Sequence, residues 1–396
     1  MKNPEPTFAG ENTRAVHAGD HHASARSGTE SAVAFSSTFA FENADEARDV
    51  VSGKKQGFVY TRWSNPTVHA FEEKMAALEG AESSVALASG MAAIYGAMTS
   101  LVAAGDHVLI PEAVYGETVR ALTVRLARFG VSFTAVDMTN LAALKGALQP
   151  NTKVVWTETP ANPTLAITDL EGVVALAHAH GAAVVTDSTF ATPVLQRPLA
   201  HGVDLVVHSA TKAICGHGDA VGGVVAGSAA RVRVVSDEMV RAAGASMAPM
   251  NAFLLSRGAQ TMALRVRHSS ASALELARRL STDPRIERVY YPGLGSHPGH
   301  ELAKRQMRGG FGTVLAFEVR GGLAAGKRVH DAVQLITRAV SLGDMRSLVT
   351  HAATTTHASV PEAQRKRAGV SDGLLRMSVG IEEVDDLWAD LDRALG

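Results

Sequence analysis

DLVVHSATKAICGHGD, residues 204–219, joins a short apolar run to a lysine and then to glycines. The run 205–207 predicts an interior strand that opens into His208-Ser209-Ala210-Thr211-Lys212, with Gly216 and Gly218 close behind. A lysine is thereby delivered at the mouth of a strand, between two hydroxyls and among small residues that let a bulky anionic ligand approach the backbone. A free lysine amine has a pKa near ~10.4 and is a poor nucleophile at neutral pH, so a reacting lysine needs burial or neighbouring charge to lower it. Taken alone, Ser-x-Thr-Lys is also compatible with a surface lysine after a strand.

Outward from this segment, apolar runs alternate with helix-like spacing. Candidate strands are 84–88, 107–110, 131–136, 154–157, 183–186, 205–207 and 221–226, mostly separated by helical segments such as 170–180. Near-continuous apolar strands alternating with helices predict an α/β protein whose seven strands form a mostly parallel sheet covered on both faces. Ligands in such sheets bind beyond the carboxyl ends of the strands. Ser89-Gly90-Met91 follows the first candidate strand and opens a helix, offering free N–H groups to a phosphate. Tyr115 lies past the second strand, Glu158 and Asn162 past the fourth, Asp187 past the fifth and Lys212 past the sixth. A carboxylate ending the Ala-Val-Val-Thr run needs a partner, either a local hydrogen bond or a pyridinium nitrogen. Lysine, hydroxyls, phosphate-binding N–H groups and this carboxylate together meet the needs of a pyridoxal 5'-phosphate (PLP) site. Val221 breaks the Gly-x-Gly-x-x-Gly pattern after Lys212, so no dinucleotide fingerprint is present.

Before this alternation lies an extended arm, residues 1–62, with histidines His17, His21 and His22 that have no third ligand at metal-binding spacing. Asn65 and Pro66 then cap and start a helix carrying Val68, Phe71, Met75 and Leu78, which Gly80 ends. The domain division expected is the arm, a cofactor-binding domain over 63–255 and a smaller α+β domain over 256–396. A single long helix is expected over about 252–280, then strands at 289–291, 314–319 and 374–379 and a helix over 323–336. In Leu375-Arg376-Met377-Ser378 the apolar residues alternate, so Arg376 and Ser378 share the other face, where a guanidinium can grip a carboxylate bidentately or stand exposed. His351 and His357 lack spaced partners, and no metal is expected.

Charge and cysteine usage narrow the partners. Lys+Arg 38 against Asp+Glu 39 leaves no bulk pull toward nucleic acid or an anionic membrane, and neither is expected as a partner. The one cysteine, Cys215, excludes an internal disulfide and fits a reducing, cytoplasmic setting. The opening MKNPEPTFAGENTR lacks a signal-peptide core. The uncharged span 85–105 has the length of a membrane helix, yet its Ser89-Gly90 break predicts a buried strand, a turn and a buried helix.

The strings YTRWSNPT, ASGMAA, ETPANP, VVTDSTFATP, HSATK with GHGD, SLGD and RMSVGIEE resemble the transsulfuration family, the PLP enzymes of cysteine and methionine metabolism, from about Thr13 to the C-terminus. That resemblance implies the fold type I architecture of PLP-dependent transferases and a homotetramer built as a dimer of dimers with shared sites. It implies Lys212 as the Schiff-base lysine and proton shuttle, and Asp187 as the pyridinium partner. Gly90, Met91, Ser209 and Thr211 would hold the phosphate, joined by Tyr60 and Arg62 of a neighbouring subunit. Tyr115 would stack on the ring and assist proton transfer, Asn162 would orient the ring hydroxyl, and Arg376 with the Ser341 backbone would bind the substrate carboxylate. The segment SLGDMRSLVTHAATTTH, with Arg346 where cystathionine-handling members have glutamate, is most similar to homoserine-ester sulfhydrylases, which join sulfide or a thiol to an O-acylated homoserine. Tyr115 and Gly216-His217-Gly218-Asp219 are closer to methionine γ-lyases, although Glu117 replaces the cysteine usual there.

Overall fold

In the computed structural model, which describes residues 10–20, 31–356, 358, 365 and 369–396, the seven expected strands form one sheet. They are β1 Ser83–Leu87, β2 His107–Pro111, β3 Ser132–Val136, β4 Thr152–Glu158, β5 Ala183–Asp187, β6 Leu205–Ser209 and β7 Gly223–Gly227, in the order β1-β7-β6-β5-β4-β2-β3. Only β7 runs antiparallel to its neighbours, so the other six strands end at one edge of the sheet. Trp156, Val185 and Val207 face one apolar layer, and Val155, Val184 and Val206 face another. With both faces apolar, hydrophobic alternation cannot fix the register. Polar contacts at the strand ends do so: the Thr157 and Thr186 hydroxyls meet at 2.7 Å, and the Val184 N–H donates to the Asp204 carboxylate at 2.8 Å.

The helix Pro66–Glu79 forms as its caps dictate. Asn65 Oδ1 accepts from the Thr67 N–H at 2.9 Å, Pro66 takes the first turn, and Gly80 ends the helix in the left-handed region at φ 73°. Its buried side chains include Val68, Phe71, Met75 and Leu78. The span 85–105 divides into β1, a turn and the helix Gly90–Thr99, and no helix among the described residues is long and apolar enough to cross a membrane.

The helix expected over 252–280 is two, Pro249–Gln260 and Met262–Thr282, broken at Thr261. Arg265 causes competition at the break, because its guanidinium donates to the Gly258 carbonyl as well as to those of Ala213 and Ile214. Beyond it a second sheet is built from β8 Ile286–Tyr290, β9 Val314–Val319, β10 Thr337–Arg338, β11 Leu348–His351 and β12 Leu374–Ser378, in the order β10-β11-β12-β9-β8. Strands β10 and β11 are not among the expected strands, and the helix expected over 323–336 stops at Ala332. The arm contains the helices Glu11–His17 and Ala44–Val51, while His21, His22 and His357 lie outside the described residues.

Candidate active site

The carboxyl ends of the parallel strands and one loop of the second sheet converge on Lys212. After β6 the chain makes a tight turn: the Lys212 N–H donates to the Ser209 carbonyl at 3.1 Å, and the Gly216 N–H to the Lys212 carbonyl at 2.8 Å. Gly216 has φ +70° and lies so close to Arg265 that a Cβ would fall 1.9 Å from its Nη1, so only glycine fits. Lys212 Nζ reaches Ser341 Oγ at 2.7 Å. Burial, with the Arg376 guanidinium adding repulsion, lowers the Lys212 amine to about 8. A buried lysine at this pKa is a usable base and nucleophile near neutrality.

Arg376 projects from the middle of β12. Its Nη1 donates to Asn162 Oδ1 at 2.8 Å and its Nη2 to the Ser341 carbonyl at 3.0 Å, while Nε is buried with no hydrogen-bond partner. Burial pulls the guanidinium down to about 10, a loss that Glu158 partly offsets. Ser378, on the same face of β12, accepts from the Gly343 N–H at 2.8 Å. The loop 341–346 is thus held to β12 from beneath. It is also pressed on the lysine turn, for the Met345 N–H donates to the Gly216 carbonyl at 2.9 Å and a Cβ on Gly343 would lie 2.4 Å from the Ala213 nitrogen.

Asp187 and Glu158 end adjacent strands as register partners, so both carboxylates point to one face. Each is buried, and burial raises both; Glu158 reaches about 8, with the neighbouring Asp187 charge adding to the effect. Asp187 Oδ1 accepts from the Thr189 N–H at 2.9 Å, and Thr189 Oγ1 accepts from the Ser209 N–H at 2.9 Å. Behind them the fully buried Glu79 and His208 meet at 2.5 Å, and His208 counteracts the rise at Asp187. Tyr115 starts the helix Gly116–Arg120, is 42% exposed, and has its hydroxyl raised by burial first and by Glu117 next.

Ser89 caps the helix Gly90–Thr99 by accepting from the Ala92 N–H at 3.1 Å. A Cβ on Gly90 would lie 2.7 Å from that of Ser209, so the helix start abuts the segment leading to Lys212, with Met91 following in the first turn. Thr211 is held by Gly222, accepting from its N–H at 3.0 Å and donating to its carbonyl at 3.2 Å.

These residues fit PLP. A buried carboxylate beside a second one, a desolvated lysine and a helix start against hydroxyls match a cationic ring nitrogen, an aldehyde and a phosphate respectively. The unpartnered Nε of Arg376 is a remaining donor for a carboxylate.

Tyr60 and Arg62, expected to act in a neighbouring subunit's site, stand outside this cluster in their own chain. Arg62 lies over the ring of its own Tyr60 at 5.5 Å and donates to the Arg241 carbonyl; among the described residues neither makes a hydrogen bond, ion pair or ring contact with Lys212, Asp187 or Arg376. Arg346 is exposed, with its N–H donating to Asp344 Oδ1 at 3.0 Å. The sequence places Glu158 after a strand, and nothing in ETPANP announces that it will face Asp187.

A model of the family described as Cys/Met metabolism PLP-dependent enzyme matches residues 12–396. O-succinylhomoserine sulfhydrylase of Pseudomonas aeruginosa is 45% identical over 359 residues, covering 91% of this chain and 89% of that one. L-methionine gamma-lyase of Pseudomonas putida is 44% identical over 394 residues, covering 99% and 98%. Among solved structures, metB from Corynebacterium glutamicum superposes with a TM-score of 0.92 at 38% identity, covering 98% of this chain and 97% of that one. A Campylobacter jejuni protein described as an O-acetylhomoserine (thiol)-lyase (metY), with N'-pyridoxyl-lysine-5'-monophosphate at its position 205, gives a TM-score of 0.92 at 32% identity, covering 97% and 99%.

Proposed function

This chain belongs to the Cys/Met metabolism PLP-dependent enzymes, which act on sulfur amino acids, and we propose that its own reaction is γ-replacement on an acylated homoserine. The acyl donor is O-succinylhomoserine ahead of O-acetylhomoserine. Sulfide or a small thiol displaces the carboxylate: the γ C–O bond breaks with its electron pair leaving on succinate, a C–S bond forms, and the product with sulfide is homocysteine.

The observation that carries this reading is the loop 341–346. Its first residue accepts from both Lys212 Nζ and Arg376 Nη2, and its last, Arg346, is an exposed cation with no ion pair among the described residues. A loop with a carboxylate grip at one end and a free cation at the other suits a substrate with a carboxylate at each end, as O-succinylhomoserine has. A cation at position 346 also repels the distal ammonium of cystathionine.

PLP, when bound, supplies a ring that withdraws electrons from the substrate α-carbon. Lys212 takes the α-proton at Nζ and returns it, and its lowered pKa suits both directions. Asp187 would hold the ring nitrogen, and Gly90, Met91, Ser209 and Thr211 would hold the phosphate with Tyr60 and Arg62 supplied by a partner subunit. Tyr115 would stack on the ring and assist proton movement, Asn162 would orient the ring hydroxyl, and Arg376 with Ser341 would bind the α-carboxylate. We assign the assembly as a homotetramer, a dimer of dimers, in the cytoplasm, with the arm over 1–62 and domains over 63–255 and 256–396.

Tyr115 and Gly216-His217-Gly218-Asp219 favour a second reading, methionine γ-lyase, which releases methanethiol, 2-oxobutanoate and ammonia; cystathionine γ-synthase or γ-lyase is a further alternative. Separate incubations with O-succinylhomoserine plus sulfide, O-acetylhomoserine plus sulfide, cystathionine, and methionine decide among them. The first is expected to be fastest. Arg346→Glu is expected to lower kcat/KM for the succinyl ester at least about tenfold more than for the acetyl ester, which has no distal carboxylate. Equal losses would show that Arg346 does not read the acyl group, and a wild-type preference for methionine would select the lyase.

A further inference from the structure

Glu158 costs the fold something and does not serve the core. It is 4% exposed, and its register partner is the buried carboxylate of Asp187. Two buried carboxylates side by side are unfavourable unless each is well satisfied. The charged and titratable groups that act on Glu158 are Asp187, which opposes its ionisation, and Arg376, which favours it; Tyr115, also titratable, offers its backbone N–H. The apolar layers that cover the rest of the strand stop short of this position, where Glu158 meets Asp187 and two backbone amides instead.

What Glu158 does hold is specific. Oε1 accepts from the Asn162 N–H at 2.7 Å and Oε2 from the Tyr115 N–H at 3.0 Å. These amides belong to two separate segments, one following β2 and one following β4. Asn162 then presents Oδ1 to Arg376 Nη1 at 2.8 Å, so a continuous chain of hydrogen bonds runs from the Tyr115 backbone through Glu158 and Asn162 to the guanidinium.

We propose that Glu158 is a positioning residue for this reaction: by holding the Asn162 and Tyr115 amides on its two oxygens, it fixes where Arg376 receives the α-carboxylate of the substrate. The proposal rests on the assignment of Arg376 to that carboxylate. Tyr115 and Asn162, whose amides Glu158 holds, are also assigned to the cofactor ring; the proposal concerns the branch that continues from Asn162 to Arg376 on the second sheet.

The test uses the PLP-loaded enzyme and two ligands that cannot react onward, L-norvaline and n-butylamine, the same amine without the carboxylate. Binding of each is read from the shift in cofactor absorbance. Glu158→Gln keeps the size of the side chain but turns one acceptor into an NH2 group, so one amide loses its partner. The variant is expected to retain wild-type cofactor content and butylamine affinity within about twofold, while its norvaline Kd rises about tenfold. Glu158→Ala is expected to show a larger change of the same kind. Equal losses for both ligands, no loss for norvaline, or loss of the cofactor from Glu158→Gln would each overturn the proposal. Arg376→Lys is the control for the assignment beneath it: if that change leaves the norvaline-to-butylamine ratio untouched, the Arg376 assignment fails, whatever Glu158 does.

Discussion

Lys212 and Glu158 are both shifted by burial, in opposite directions and with opposite uses. The lysine is lowered to about 8, which leaves it partly neutral at physiological pH. Lys212→Ala is expected to keep PLP through the phosphate contacts but to show no cofactor mass on the intact protein after borohydride reduction, with turnover reduced more than about 1000-fold. Retained mass would move the covalent attachment elsewhere. Glu158 is raised, so between an ordinary carboxylate pKa of about 4.3 and about 8 the folded chain keeps a proton that the unfolded chain has lost. Its contribution to stability therefore falls as pH rises through that window. In the cofactor-free protein, Glu158→Gln is expected to gain stability relative to wild type between pH 5.5 and 8, by more than about 1 kcal/mol, as read from urea midpoints. An unchanged difference would mean that Glu158 is ionised throughout.

At the scale of elements, the loop 341–346 and the turn after β6 behave as one piece because two glycines let them touch. Gly343 has φ +73° and no room for a Cβ, so Gly343→Ala combines a left-handed strain with an overlap against Ala213. It is expected to cost about 1–3 kcal/mol in denaturant unfolding and to weaken norvaline binding, because Ser341 would be displaced from Lys212 and Arg376. Stability lost with norvaline binding intact would separate the loop from the site. The same elements show how far sequence reading reaches. The seven strands of the first sheet were legible because uninterrupted apolar runs separated by helices leave few other arrangements. Strand β11 was not, since Thr350 and His351 are polar yet buried. Thr350 is satisfied by the Ala339 carbonyl at 2.7 Å and His351 by that of Asp372 at 2.8 Å, contacts that no local pattern foretells. The break at Thr261 was hidden because the apolar spacing continues across it. Lys212, Asp187 and Arg376 carried enough chemistry in their surroundings to be picked out singly. The pairing of Glu158 with Asp187 arises only from inter-strand register.

At the scale of the whole molecule, Tyr60 and Arg62 make no hydrogen bond, ion pair or ring contact with Lys212, Asp187 or Arg376 of the same chain among the described residues; Arg62 lies over Tyr60 and donates to the Arg241 carbonyl, and Tyr60 bridges to Thr38. If these residues serve a partner, mixing Arg62→Ala chains with Lys212→Ala chains will yield dimers with one intact and one doubly defective site. Random exchange is then expected to restore about a quarter of wild-type activity from two inactive preparations. No recovery, with subunit exchange verified by mass, would place Arg62 in its own subunit's site. A different coupling is present within each chain. Arg376 is rooted in the second sheet and reaches Asn162, which follows a strand of the first. One guanidinium therefore spans the seam between the two sheets, and the gap it bridges acts as a gauge: a substrate whose carboxylate seats correctly has, in the same act, measured the spacing of the two halves.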